Sequence, residues 1–184
     1  MLVLSMDVGL FNMGIVVAQI NKGNIENILD CKQINIKELI QYCDHNCNLE
    51  HNNCIADYMS HLFRDYKYFE NADVILIERQ PPQGFISIQE ITNFKYRKKV
   101  VMISPNQMHN YFRISGLTYE RRKEFTVEYA RRWLTGFQDF TNERNHDIAD
   151  AFCILSYYLT MLQNNEIKRK STIKNFQQFR YCPS

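Results

Sequence analysis

No stretch of this sequence approaches the roughly 20 consecutive apolar residues that a helix needs to cross a bilayer, so no membrane-spanning role is expected. A strong charge of either sign is also missing: 22 Lys and Arg stand against 20 Asp and Glu, a net of +2. Any nucleic-acid binding must therefore come from local clusters of basic residues and not from bulk charge. The opening MLVLSMDVGL has no basic flank, and Asp7 and Gly9 interrupt it, so it reads as a first strand and not as a secretory leader. Without a leader, the six cysteines are expected as thiols or metal ligands in a reducing, intracellular compartment, not as a disulfide framework. Neither an internal repeat nor a long linker divides the 184 residues, a length that suits one domain with a real core.

What is present is a succession of short apolar runs and amphipathic stretches. Residues 3–6 read as a buried strand and 14–20 as a second, rich in β-branched residues. Asn21-Lys22-Gly23-Asn24 supplies a hairpin turn, with Gly23 suited to positive φ, and a third strand is expected within 25–36. Beyond a polar stretch over 40–54, Ile55, Tyr58, Met59, Leu62, Phe63 and Tyr66 fall at helical spacing and predict a helix over 55–69. The continuous run 74–77 predicts a strand covered on both faces. A helix over about 85–96, a strand over 100–104 stopped by Pro105, and helices over 119–134 and 145–162 complete the order. The first of these last two carries Phe125, Tyr129 and Trp133 on one stripe, the second Ile148, Phe152, Leu155 and Leu159. Residues 1–165 are expected to form the domain and 166–184 a basic tail, with Lys168, Arg169, Lys170 and Lys174. A meander followed by alternating helices and strands is an α/β domain: a mixed sheet flanked by helices.

Four acids sit where elements start or end. Asp7 closes the first strand, Glu78 follows the buried run directly, and Asp147 and Asp150 lie three apart in the first turn of the last helix. Carboxylates scattered in sequence but gathered by a fold can hold hard divalent cations for phosphodiester hydrolysis. Each also has a plainer reading. Asp7 suits a turn, Asp147 and Asp150 suit a helix N-terminus, and Glu78 could pair with Arg79.

Taken with their neighbours, these residues resemble a known family. Met6-Asp7-Val8-Gly9, Leu76-Ile77-Glu78-Arg79-Gln80-Pro81-Pro82 and Asp147-Ile148-Ala149-Asp150-Ala151-Phe152, in that order, are similar to the Holliday junction resolvases of poxviruses and other large DNA viruses. These are relatives of the bacterial RuvC resolvases in the RNase H-like (retroviral integrase-like) superfamily. The likeness runs over roughly residues 2–162 and includes Ile103-Ser104-Pro105 and Tyr119-Glu120-Arg121-Arg122-Lys123. It implies a five-stranded mixed sheet in an RNase H-like fold, and a homodimer that cuts opposed strands of a four-way DNA junction with Mg²⁺ or Mn²⁺, at the site of viral DNA replication in the host cell. It further implies that Asp7, Glu78, Asp147 and Asp150 are the catalytic, metal-binding tetrad. Asp7 would bridge two ions, with Glu78 and Asp150 on one side and Asp147 on the other. This chain departs from the bacterial pattern in carrying Val8 where those enzymes usually have Pro, and in placing His146 beside Asp147 and not in its stead.

Two further groups stand out. Cys43, His45, Cys47, His51 and Cys54 crowd twelve residues, with Cys31 upstream and His61 downstream. If the segment is helical, Cys43, Cys47, His51 and Cys54 share one face and could hold a structural Zn²⁺, although the same spacing describes thiols packed under a helix. Such a site would stand apart from the catalytic one, because thiolates favour softer ions than Mg²⁺. Lys95, Arg97, Lys98 and Lys99, and Arg121, Arg122 and Lys123, are candidates for DNA phosphate contacts. The first of these sets equally suits a helix C-terminus. Two rival functions remain open: an RNase H-like nuclease acting on RNA–DNA hybrids or flapped DNA, and a non-catalytic DNA-binding module of the same fold.

Overall fold

Three antiparallel strands open the chain: β1 (Leu2–Asp7), β2 (Met13–Asn21) and β3 (Asn24–Ile34). The computed structural model describes residues 1–43, 47–137, 140 and 145–178, the side chains of the last stretch as far as 164. Asn21 pairs with Asn24, so the β2–β3 loop is Lys22-Gly23, with φ of 49° and 79°. Both values are positive, as a tight two-residue hairpin demands.

The chain continues through α1 (Glu38–Gln41), α2 (Ile55–Asp65), α3 (Tyr68–Asn71), β4 (Val74–Glu78), α4 (Ile86–Lys95), β5 (Val100–Ile103), α5 (Pro105–Tyr111), α6 (Tyr119–Leu134) and α7 (Asn145–Gln178). The strands form one sheet in the order β3-β2-β1-β4-β5, with β4 parallel to both β1 and β5. This is the expected five-stranded mixed sheet flanked by helices. Among the described residues no helix is long and apolar enough to cross a membrane.

The period-2 alternation of the strands feeds two separate cores. Leu4 and Met6 of β1, Ile75 and Ile77 of β4, and Met13, Ile15 and Val17 of β2 pack with Met59, Leu62 and Phe63 of α2 and Ile88 of α4. Val3, Val16, Ala18, Leu76 and Ile103 point the other way, onto α6 and α7. The expected stripe of α7 is buried throughout, and Ala149, Ala151, Cys153 and Ile154 are buried as well, because this helix lies between the sheet and α6. Two contacts fix its height over the sheet. The Ser5 hydroxyl, fully buried, donates to the Ala151 carbonyl at 2.7 Å. On β2, a Cβ at Gly14 would lie 2.0 Å from the Asp147 carbonyl oxygen, so only glycine admits the first turn of α7 there.

Several elements differ from expectation. The helix predicted over 55–69 ends at Asp65, since Tyr66 leaves helical geometry to donate its hydroxyl to Asp30 on β3 at 2.7 Å. Pro105 stops β5 but also starts α5, at a position where a missing N–H costs nothing. The buried stripe of α6 is Thr126, Ala130 and Leu134, one step round from Phe125, Tyr129 and Trp133. Small residues let α6 approach α7 closely. The aromatics flank that contact, against Phe112 and Phe152, and Trp133 is 49% exposed. The described residues of 43–54 are not helical, so the one-face argument for their cysteines does not hold. The backbone of α7 is helical as far as Gln178, whereas the side chains of Lys168, Arg169, Lys170 and Lys174 lie outside the described residues.

Candidate active site

Asp7 and Glu78 follow directly on the last β1–β4 partners, Met6 and Ile77, and both project to the α7 side, in phase with Val3 and Leu76. They stand at the carboxyl ends of parallel strands, where α/β sheets leave a crevice. Asp150 enters from the second turn of α7, one turn beyond Asp147. The three acids line one cleft of about 170 Å³, together with His109 of α5 and Tyr119, Arg122 and Lys123 of α6.

Three acids face two basic residues, Arg122 and Lys123, in the cleft. Lys123 is ion-paired with Asp150, their side chains 21% and 19% exposed. Burial, then the charges of Asp150 and Glu78, push the Asp7 carboxyl well above its usual range, with Lys123 opposing and Asp147 adding a smaller push. Burial and Asp150 likewise raise Glu78 to about 7. For Lys123, burial would lower the ammonium pKa, but Asp150 and Asp7 overcome it and hold it above the usual value. The His109 imidazole is depressed by burial and by Arg122. Burial first, and the neighbouring acids second, thus favour the neutral forms of Asp7 and Glu78, whereas a cation held between them would favour the charged forms.

Asp147 stands at the edge of this arrangement. It is buried, accepts from Gln33 Nε2 at 3.2 Å, and its Oδ1 lies 3.3 Å from His146 Nε2. Gln33 also donates to Asn12 at 2.8 Å, tying the β1–β2 loop to the same point. The tetrad is therefore three acids in the cleft and a fourth, Asp147, one step toward β2 and β3. Glu78 makes no ion pair with Arg79 among the described residues.

Lys123, a candidate phosphate contact in the sequence, lines the cleft itself and pairs there with Asp150. Arg122 lines the cleft and donates to the Leu117 carbonyl at 3.0 Å, and Arg121 is exposed beside it. Lys95, Arg97, Lys98 and Lys99 lie at the start of β5, whereas Glu78 pairs with Ile103 at its end, so this basic set sits at the far end of the sheet from the cleft. Lys95 is 3.3 Å from Glu70, and Arg97 and Lys98 are exposed. His109 had no signal in the sequence. A lone histidine after a proline gives no hint that α5 will carry it beside acids from three other elements.

A second polar cluster lies on the opposite face of the sheet, beside α2. Cys43, Cys47, His51 and His61 bring one ligand-capable atom each to within 4.8 Å of one another. A hydrogen bond from Cys43 brings the Cys47 thiol down to about 7, against desolvation and with help from the Leu49 amide, His61 and Arg64. Cys54, expected as the fourth member, is instead the exposed residue preceding α2. His45 lies outside the described residues.

A family profile described as Poxvirus A22 protein matches residues 1–164. No curated protein sequence matches. Among solved structures, the fowlpox virus resolvase in complex with its substrate Holliday junction DNA is similar with a TM-score of 0.60 at 18% identity, over 88% of this chain and 99% of that one. The yeast mitochondrial Holliday junction resolvase Ydc2 gives 0.57 at 17% identity, over 85% and 78%. RuvC of Thermus thermophilus in complex with a Holliday junction substrate gives 0.51 at 14% identity, over 89% and 96%. At these identities the structural likeness is one of fold.

Proposed function

The chain belongs to the Poxvirus A22 protein family, and from that membership and the carboxylate cleft we propose that it is a metal-dependent endonuclease that resolves four-way DNA junctions. One observation carries the reading: Asp7, Glu78 and Asp150 converge on a single desolvated cleft at the carboxyl ends of the parallel strands. An all-oxygen donor set of three crowded carboxylates fits a hard divalent cation, Mg²⁺ or Mn²⁺. Asp7, Glu78 and Asp150 would hold it, with Asp147 at the rim. When bound, such ions acidify water and offset charge on the attacked phosphate and the leaving oxygen.

The remaining work falls to residues of the chain. Strand ends and a pinned helix hold the acids in place before substrate arrives, so little reorganisation is needed on binding. Lys123 fixes one positive charge inside the cleft, beside the path of an incoming phosphate. Arg122, in the cleft lining, and the exposed Arg121 next to it would contact phosphates, contacts that position DNA without reading its sequence. In-line hydrolysis would leave a 5′-phosphate and a 3′-hydroxyl. Paired cuts in opposed strands require two such clefts, hence a homodimer. The basic residues of 166–184 would add a further phosphate-binding arm.

The test compares a synthetic four-way junction with an RNA–DNA hybrid, a flap and a linear duplex, each with Mg²⁺ or Mn²⁺. Symmetric nicks confined to the junction are expected. Preferential cutting of the hybrid or flap would move the activity to another RNase H-like nuclease. Tight junction binding without cleavage of any substrate would make the protein a binding module.

A further inference from the structure

The Cys/His cluster takes no part in the proposed chemistry, and its geometry asks for an occupant. His61 of α2 is fully buried, and its Nδ1 lies 2.7 Å from the Asp57 carbonyl oxygen. A carbonyl can only accept, so Nδ1 carries the proton and Nε2 presents its one lone pair. That lone pair faces Cys47 Sγ at 3.6 Å and His51 Nε2 at 3.3 Å together. One hydrogen bond can satisfy only one of them. A single ion among the four would be met by a lone pair from each.

The surroundings suit anionic sulfur. Arg64, one turn beyond His61, donates Nη1 to Cys47 at 2.7 Å and to Cys43 at 3.3 Å, while its Nη2 is held by Asp65 at 2.8 Å. The Leu49 amide also points at Cys47 Sγ, at 3.5 Å. Of the described residues of 47–54 none is buried, so no apolar core accounts for the course of this segment. We infer that Cys43, Cys47, His51 and His61 form a tetrahedral structural zinc site that staples the segment before α2 onto that helix. Two sulfur and two imidazole ligands are a borderline-soft set that prefers Zn²⁺ to Mg²⁺. Two thiolates, each releasing a proton on binding, neutralise the ion, and the two imidazoles stay uncharged. Arg64 and the Asp57 carbonyl orient the ligands from behind.

Metal analysis of the full-length protein, purified with zinc present and without chelating resins, is expected to find one zinc per chain. Replacing it with Co²⁺ should give thiolate-to-cobalt charge-transfer and tetrahedral visible bands, a signature that carboxylate-bound cobalt does not produce. His61→Ala and Cys47→Ser should lose the ion, Cys54→Ser and Asp7→Asn should retain it, and Arg64→Ala should weaken zinc binding about 10–100-fold. If the ligand variants fail to fold, the cobalt spectrum of the unaltered chain decides. Zinc-free protein without cobalt–thiolate bands would overturn the site, and so would loss of zinc in Cys54→Ser with retention in His61→Ala. Because Asp7→Asn is inactive under the proposed function yet keeps zinc here, the two readings fail separately.

Discussion

The molecule carries two clusters of ligand-capable side chains on opposite faces of one sheet, and they are built in opposite ways. The acids Asp7, Glu78 and Asp150 stand on strand ends and on a helix pinned by Ser5 and Gly14. Their positions are fixed by the core, and the fold bears the cost of crowding them. Cys43, Cys47 and His51 stand on a segment with no core of its own, and only His61 comes from a regular element. The first cluster is preorganised and electrostatically frustrated; in the second, the ligands do the organising. Hard oxygen donors in a rigid cleft suit an ion that must exchange waters and substrate, whereas sulfur and nitrogen on a loop suit an ion that stays.

The sharpest way to break this contrast is Asp7→Asn. The amide removes the acid at the centre of the cleft, and junction cleavage should fall by at least roughly 10³-fold, about 4 kcal/mol of barrier, in single-turnover assays. Junction binding should survive. Because Asp7 resists ionisation where it is, the metal-free variant should melt no lower than the parent. A lower melting temperature would mean that the acid is structural and that the frustration argument is wrong.

Gly14→Ala tests the pinning without touching an acid. The new methyl meets the Asp147 carbonyl, so the first turn of α7 must move. About 1–3 kcal/mol of stability should go through overpacking. Cleavage should fall up to roughly 10²-fold, since displacements near 1 Å suffice for that. Lys123→Met tests the frustration from the other side. Removing the cation paired with Asp150 should destabilise metal-free protein by about 1–3 kcal/mol. Added Mg²⁺ should recover most of that loss, as differential scanning fluorimetry would report.

The same frustration has a pH signature. Glu78, raised to about 7, keeps a proton in the folded state that the unfolded chain releases at its ordinary carboxylate pKa, and Asp7 shifts in the same direction. The contribution of Glu78 to stability is therefore full at low pH and lost as pH rises through about 7, and that of Asp7 is lost in the same direction. Divalent metal competes with those protons, so Mg²⁺ should raise the melting temperature more at pH 8 than at pH 5.5. For a chain of this size each 1 kcal/mol is about 2–4 °C. Glu78→Gln should flatten the difference. An equal Mg²⁺ response at both pH values would remove the acids from metal binding.

How legible these clusters were in the sequence follows from the same contrast. Asp7 and Glu78 could be read because an acid that ends a buried strand is visible in a one-dimensional pattern, and α7 could be read from its stripe. The role of Gly14 could not, since nothing in a strand pattern says which helix will cross it. Lys123 reads as one of three adjacent cations until α6 is laid against α7, a contact set by Thr126 and Ala130 and not by the larger aromatics nearby. For the second cluster, helical spacing selected Cys54. The segment is irregular, and the ligand that closes the set, His61, lies in the next helix. Periodicity reports which way a side chain faces within its own element; it is silent on what another element brings to meet it.

The smallest effect is expected where sequence and structure differ most in emphasis. Arg97 and Lys98 are exposed before β5, at the opposite end of the strand from Glu78, and so stand away from the cleft of their own chain. If they touch DNA, they touch an arm that runs past the far end of the sheet. Arg97→Ala with Lys98→Ala should then leave the single-turnover cleavage rate at saturating protein unchanged. Junction affinity should fall, and the slope of log K against log salt should become shallower by about 1.8 when two phosphates are no longer neutralised. An unchanged slope would make this basic set a solvated helix end, and would leave α6 as the DNA-facing element nearest the cleft. A slower cleavage step would instead place the far end of the sheet in communication with the acids, and the division between a rigid cleft and the rest of the surface would have to be redrawn.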